Sequence, residues 1–277
     1  LKNALKAPTQ EELASAIRSK QFFLMYQPKQ DLKQRQVIGV EALVRWQDPE
    51  RGVLSPDSFI PLAEQSGLMV PLTWLVLELA LAQQAKWQAR GWSLNVAINI
   101  PAAFIQSEGM LEAFDRLTQH HGALLSNITL ELTESVGVEC LGYACHVLKA
   151  LQQRGCQLSL DDFGTGYSSL SQLHRLPFNE LKIDRSFVSS IDQDKDALAI
   201  TASIIDLGKR LGLKIVAEGI ETMAQHTLLV EAGCTIGQGH YFARPLTAAD
   251  FDAWFSEYLP TAPTPQQQSM LSCCKAF

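Results

Sequence analysis

The chain has 277 residues, 47% of them hydrophobic and 19% charged, which suits one large buried core of barrel size. Its formal charge of −6 excludes a protein that grips long nucleic acid, which needs a basic face to displace phosphate counterions. No apolar run reaches the roughly 18 residues of a membrane span, no signal peptide opens the chain, and Cys140, Cys145, Cys156, Cys234, Cys273 and Cys274 form neither CxxC pairs nor a disulfide framework, so a reduced, cytoplasmic protein is expected.

Thr9-Gln10-Glu11-Glu12 is a capping box that predicts a short amphipathic helix to about Ser19. Eight β-rich apolar runs follow: FFLMY, VIGVEALV, LNVAIN, ITLEL, QLSL, ELKI, LKIVA and CTIG. Helix-length stretches lie between most of them, at Leu72–Ala89, Glu108–His120, Leu141–Arg154, Ala197–Leu211 and Met223–Glu231, with Gly91, Gly122, Gly155, Gly212 and Gly233 near their ends. Such alternation predicts a parallel sheet, and eight units favour closure into a barrel. Only Gln27–Arg35 separates the first two runs, too few residues for a parallel crossover, so they are expected to form a hairpin with one strand antiparallel. A last helix is expected to about Tyr258, then a Pro- and Gln-rich polar tail. The expected division is a lead-in helix over 1–20, a barrel over 21–259 and a disordered tail over 260–277; Cys273-Cys274 in that tail is read as an incidental exposed pair. Because the sequence opens on Leu1 rather than Met, an upstream regulatory domain is also expected.

Working residues of such barrels come from the C-terminal ends of different strands. Here those ends carry Glu41, Asn99, Glu131, Asp161-Asp162, Lys182, Glu218 and Gln238. One carboxylate at a strand end is ordinarily a solvated charge or a helix cap. Several aimed at one point need cations between them, because an unpaired buried charge costs several kcal/mol. Oxygen and amide donors without His or Cys suit Mg²⁺ or Mn²⁺ rather than zinc; Ca²⁺ is expected to inhibit. Two glycines in Asp161-Asp162-Phe163-Gly164-Thr165-Gly166 allow a bend that brings adjacent carboxylates together. Arg45 shares a strand face with Glu41 and Leu43, as a salt-bridge partner or a phosphate clamp. Lys182, buried beside carboxylates, must pair or shift its pKa. The six histidines show no metal-binding spacing, and of them His240 lies near the rim. Trp46, Trp74, Trp87, Trp92 and Trp254 are read as packing residues.

Glu41-Ala42-Leu43 followed by Val44-Arg45-Trp46 resembles the signature of the EAL domain family, bacterial cyclic di-GMP phosphodiesterases. The resemblance runs from about residue 10 to 259. It takes in Tyr26-Gln27-Pro28, Phe59 to Glu64, Asn99, Glu131 to Ser135, Asp161 to Gly166, Leu181 to Asp184, Ala217 to Glu221 and Gln238-Gly239. It implies an α/β fold, a modified (β/α)8 TIM-type barrel with one antiparallel strand. It also implies hydrolysis of cyclic di-GMP to linear pGpG by in-line attack of a metal-bound hydroxide, which lowers the level of this second messenger. Glu41, Asn99, Glu131 and Asp161 would hold one cation, while Asp162, with Glu218 and Gln238 nearby, would serve the second cation and the water. Arg45 would hold a substrate phosphate, Leu43 and Gln238 would touch substrate, and Gln27 would lie near a guanine. Lys182 would orient or activate the water, Glu218 would take part in proton transfer, and Glu134 would anchor the loop at 161–166. The resemblance admits a homodimer, and a sensor or receiver domain ahead of the barrel. Pro101 and His240 depart from the family's commoner residues, which bears on guanine contacts rather than on metal ligands. The alternatives are a receptor module that keeps cyclic di-GMP without cutting it, and an interaction scaffold that binds no nucleotide.

Overall fold

The structure, a computed structural model, describes residues 7–133, 141–164, 173 and 175–258. Glu134, Thr165, Gly166, His174 and the Cys273-Cys274 tail lie outside them. Ten strands form one sheet: β1 (Phe22–Asp31), β2 (Val37–Asp48), β3 (Gly52–Leu54), β4 (Asn95–Asn99), β5 (Ile128–Thr133), β6 (Gln157–Phe163), β7 (Glu180–Ile183), β8 (Lys214–Ala217), β9 (Ile236–Gln238) and β10 (Leu246–Thr247). Eight of them close into a barrel in the order β1-β9-β8-β7-β6-β5-β4-β2, sealed by the pairing of β1 with β2. From β2 and β4 through to β9 the neighbours are parallel, and β1 runs antiparallel to both β2 and β9. The eight expected strands are these eight. The hairpin is tighter than its sequence suggested, because β1 continues to Asp31 and β2 begins at Val37. β3 and β10 are short additions at the sheet's ends, too brief to leave a periodic signal.

The helices are α1 (Gln10–Arg18), α2 (Ile60–Gln65), α3 (Met69–Ala89), α4 (Ala102–Ile105), α5 (Met110–His121), α6 (Leu141–Gln153), α7 (Arg185–Val188), α8 (Lys195–Arg210), α9 (Met223–Ala232) and α10 (Ala248–Tyr258). α1 opens on the predicted capping box: Glu12 N–H donates to Thr9 Oγ1, and Thr9 N–H to Glu12 Oε2. Thr222 and Gln225 build a second such box at α9, where Gly233 ends the helix at φ 82°, a left-handed conformation that costs glycine no steric penalty. No helix among the described residues is long and apolar enough to cross a membrane.

Two aromatic clusters tie the helices to the barrel wall. Phe22, Trp46 and Phe59 pack with ring centroids 5.5–6.0 Å apart, which seats α2 on the β1–β2 hairpin. Trp87 of α3 meets Tyr26 of β1 at 4.8 Å and Phe251 of α10 at 5.1 Å, while its Nε1–H donates to Asp252 Oδ1. Fully buried, such side chains contribute roughly 1.5–3 kcal/mol each, so the expected packing role of the tryptophans holds. The apolar core therefore sits between wall and helices. The lumen itself is polar: Gln27, Lys29, Glu41, Glu131, Asp161, Glu180, Lys182 and Gln238 are all buried, where barrels of this kind ordinarily stack branched aliphatics.

Candidate active site at the barrel rim

Parallel strands deliver their C-terminal ends to one mouth, and alternation decides which residues look inward. Glu41 comes from β2, Asn99 ends β4, Glu131 comes from β5, Asp161 from β6, Lys182 from β7, and Gln238 ends β9. Glu218 follows β8 directly, held by its N–H donating to Ile183 O at 3.1 Å. Strict alternation would send Asp161 and Asp162 to opposite faces. β6 avoids this with one extra residue against β7, where the register slips between Leu160 and Phe163. Asp162 takes φ 55° there, a region that Asp tolerates better than most side chains, and its N–H donates to Asp161 Oδ1 at 2.9 Å. As a result Asp161, Asp162 and Glu218 each bring an oxygen within 4.8 Å of the others.

Lys182 Nζ is the hub of the cluster, at 2.6 Å from Glu218 Oε1, 2.9 Å from Glu131 Oε2, 3.0 Å from Asp161 Oδ2 and 3.8 Å from Glu41 Oε1. Burial alone would depress its ammonium, but Glu131, Glu218, Glu41 and Asp161 outweigh that and hold it well above the ordinary lysine value. Burial likewise pushes Glu131 up, yet Lys182 and Lys29 prevail and hold it at about 2. Burial wins at Glu218, which rises to about 8 despite Lys182, and it raises Glu41 and Asp161 as well. Asn99 Nδ2–H donates to Glu41 Oε1 at 2.8 Å, and Gln238 Nε2–H to Glu41 Oε2 at 2.6 Å and Gln27 Oε1 at 2.9 Å. Gln238 thus stands on the Glu41 side of the cluster, while Asp161 groups with Asp162 and Glu218.

Beside the cluster opens a mostly apolar cleft of about 580 Å³, lined among others by Leu43, Ile60, Met69, Asn99, Pro101 and Glu131. Pro101 is part of this wall as the extended residue that caps the start of α4. Arg45 is partly buried, donates from Nη1 to Val44 O at 2.8 Å and lies in the field of Asp57 and Glu41. Gln27 is buried, with Nε2–H donating to Ala243 O at 3.2 Å. His240 is exposed. His226 is a packing residue against Tyr241 and Phe242.

Two lumen residues are absent from the sequence reading, Lys29 and Glu180. Lys29 Nζ lies 2.6 Å from Glu131 Oε1 and 3.5 Å from Glu180 Oε1. A signal existed for each: Lys29 is two residues from Gln27, and Glu180 two from Lys182, so alternation puts each pair on one face. Among the described residues Glu41, Glu131, Asp161, Glu180 and Glu218 share two buried lysines, Lys29 and Lys182, a surplus of carboxyl groups that divalent cations can balance. The buried Gln238 Oε1 adds an acceptor with no hydrogen-bond partner among the described residues. This donor set of oxygens and amides fits hard cations such as Mg²⁺.

The EAL domain family model matches residues 10–245. The chain is 41% identical over 238 residues to the bifunctional diguanylate cyclase/cyclic di-GMP phosphodiesterase MucR of Pseudomonas aeruginosa, covering 86% of this chain and 35% of that protein. It is 39% identical over 251 residues to the cyclic di-GMP phosphodiesterase PdeR of Escherichia coli, covering 90% and 38%. The chain thus spans well under half the length of these relatives. Among solved structures it superposes on the PaMucR phosphodiesterase in complex with c-di-GMP with a TM-score of 0.82 at 40% identity, covering 86% of this chain and 97% of that one. With the barrel, the rim cluster and these matches in agreement, the chain belongs to the EAL domain family.

Proposed function

We propose that this barrel is a phosphodiesterase that hydrolyses cyclic di-GMP to linear pGpG. The observation that carries the reading is the convergence of Glu41, Glu131, Asp161 and Glu218 on Lys182 beside the 580 Å³ cleft. Relatives at 39–41% identity that are named cyclic di-GMP phosphodiesterases support the choice of substrate.

Glu41, Asn99, Glu131 and Asp161 would hold one Mg²⁺ or Mn²⁺, and Asp162 and Glu218 a second. When bound, such ions lower the pKa of a water and neutralise charge on the phosphoryl oxygens. The protein's own groups position and move protons. Glu218, which follows β8 and lies 2.6 Å from Lys182 Nζ, is the carboxylate placed to take part in proton transfer. Lys182 holds the carboxylates at fixed spacing and orients the water. Arg45 would hold a substrate phosphate and Gln27 would lie near a guanine, while Leu43 and Gln238 would also touch substrate. Water's oxygen bonds to phosphorus as the P–O3′ bond breaks, and the 3′ oxygen leaves with a proton.

A cytoplasmic location, a homodimer and an upstream sensor or receiver domain complete the reading. Its test is incubation with cyclic di-GMP and Mg²⁺ followed by chromatography. Linear pGpG supports hydrolysis, retained intact nucleotide supports a receptor module, and no binding supports a scaffold.

A further inference from the structure

We propose that Lys29 is a positioning residue that fixes which oxygen of Glu131 faces the rim; the inference rests on the reading of Glu131 as a cation ligand. β1 is the antiparallel strand, so it enters the lumen from the rim and carries Lys29 below Gln27, opposite Gly39 and Gln238. Lys29 is 3% exposed, and its Nζ takes Glu131 Oε1 at 2.6 Å while Lys182 Nζ takes Oε2 at 2.9 Å. The two ammoniums divide the carboxylate between them, one oxygen each. Glu180, at 3.5 Å, is the weaker partner of Lys29, so the lysine is directed chiefly at Glu131.

Beneath this contact, at the mouth opposite the rim, lies a polar cavity of about 250 Å³ lined by Lys29 itself and by Asn95, Thr129, Gln157, Glu180 and Lys214. A buried carboxylate above a polar space has somewhere to turn. Thr129 does not restrain it, because its hydroxyl donates to Asn95 Oδ1 at 2.9 Å, and Ser159 Oγ, on the neighbouring strand opposite Glu131, has no hydrogen-bond partner among the described residues. Lys29 is the group on the lower side that pins Glu131 Oε1. With that oxygen held, Oε2 alone is presented to Lys182, Glu41 and Asp161, the single direction that a one-oxygen ligand requires.

The experiment compares wild type, Lys29→Met and Lys29→Arg. Mn²⁺ binding to substrate-free protein is followed by loss of the free-ion electron paramagnetic resonance signal, with thermal unfolding and the Mg²⁺ dependence of kcat measured alongside. Lys29→Met keeps the length and removes the donor; it should weaken Mn²⁺ binding about tenfold or more and raise the Mg²⁺ midpoint in parallel. KM for cyclic di-GMP at saturating Mg²⁺ should not move. Lys29→Arg keeps the charge but displaces the donor, and should weaken Mn²⁺ binding less than Met does. A folded Lys29→Met with wild-type Mn²⁺ binding overturns the proposal, whatever its melting temperature. If only Lys29→Arg folds, its Mn²⁺ affinity decides, wild-type binding being the overturning result; failure of both to fold makes Lys29 a structural residue and also overturns it. Wild-type protein that binds no Mn²⁺ defeats the underlying cation reading instead, which keeps the two failures apart.

Discussion

Lys182 Nζ lies 2.6 Å from Glu218 Oε1, closer than it lies to Glu131, Asp161 or Glu41. Even with that partner Glu218 is raised from 4.5 to about 8, because burial outweighs the ammonium. A carboxyl raised by folding contributes stability in full below its unfolded value, and the contribution is lost as pH rises through the folded value. The metal-free protein is therefore expected to melt at progressively lower temperature between about pH 5 and pH 8, the interval between the ordinary and the raised value of Glu218. Glu41 and Asp161, raised in the same direction, add to the trend. Melting curves in EDTA across this range check it, with Glu218→Gln expected to be flatter; a melting temperature that is level or rises from about pH 5 to pH 8 contradicts it.

Lys182→Met removes the ammonium that Glu131, Asp161 and Glu218 share. Breaking a buried pair from one side costs about 3–5 kcal/mol, so the metal-free variant should unfold well before wild type, and Mg²⁺ should recover part of the loss. Turnover should fall more than substrate binding. A variant with raised KM and unchanged kcat would remove Lys182 from the water's side of the reaction.

Glu41→Ala and Asp161→Ala should abolish pGpG formation while circular dichroism stays that of the wild type, since rim residues of this barrel serve function more than stability. Glu41 accepts from both Asn99 and Gln238, so its loss removes one acceptor from each amide, while Gln238 keeps its bond to Gln27. Retained turnover in either variant would relocate the chemistry.

Hydrolysis should require Mg²⁺ or Mn²⁺ and be inhibited by Ca²⁺, which prefers longer bonds and more ligands and activates water less well. Assays after EDTA treatment and gel filtration, with each ion added back singly, test this. Full turnover without added ion counts against it.

Gly239→Ala should cost about 1–3 kcal/mol and lower activity. A Cβ at Gly239 would come within 2.1 Å of Ile220 O and 2.3 Å of Ile220 N, and that same N–H donates to Gln238 O. Backbone cannot step aside as a flexible side chain can, so Gln238 should shift from Glu41. Thermal unfolding and the Mg²⁺ midpoint, measured together, should both move.

Local pattern determined much of this protein. Short β-rich apolar runs marked the eight barrel strands, the spacing of helices and glycines marked the parallel winding, and the short interval after Tyr26 marked the hairpin that makes β1 antiparallel. The position of Glu41, Glu131 and Lys182 towards the C-terminal ends of those runs marked them as site residues, since parallel strands of a barrel bring these ends to one mouth. Which inward residues meet was decided by tertiary structure. Lys29 reaches Glu131 across 102 positions and Gln238 reaches Glu41 across 197, contacts fixed by strand order, register and barrel closure rather than by any neighbour in sequence. The extra residue in β6 that turns Asp161 and Asp162 towards one cluster is likewise visible only against β7, because a bulge is defined by its partner strand. Burial, and with it the opposite shifts of Glu131 and Glu218, also came from closure, because two carboxylates of one chemistry part only when their surroundings differ.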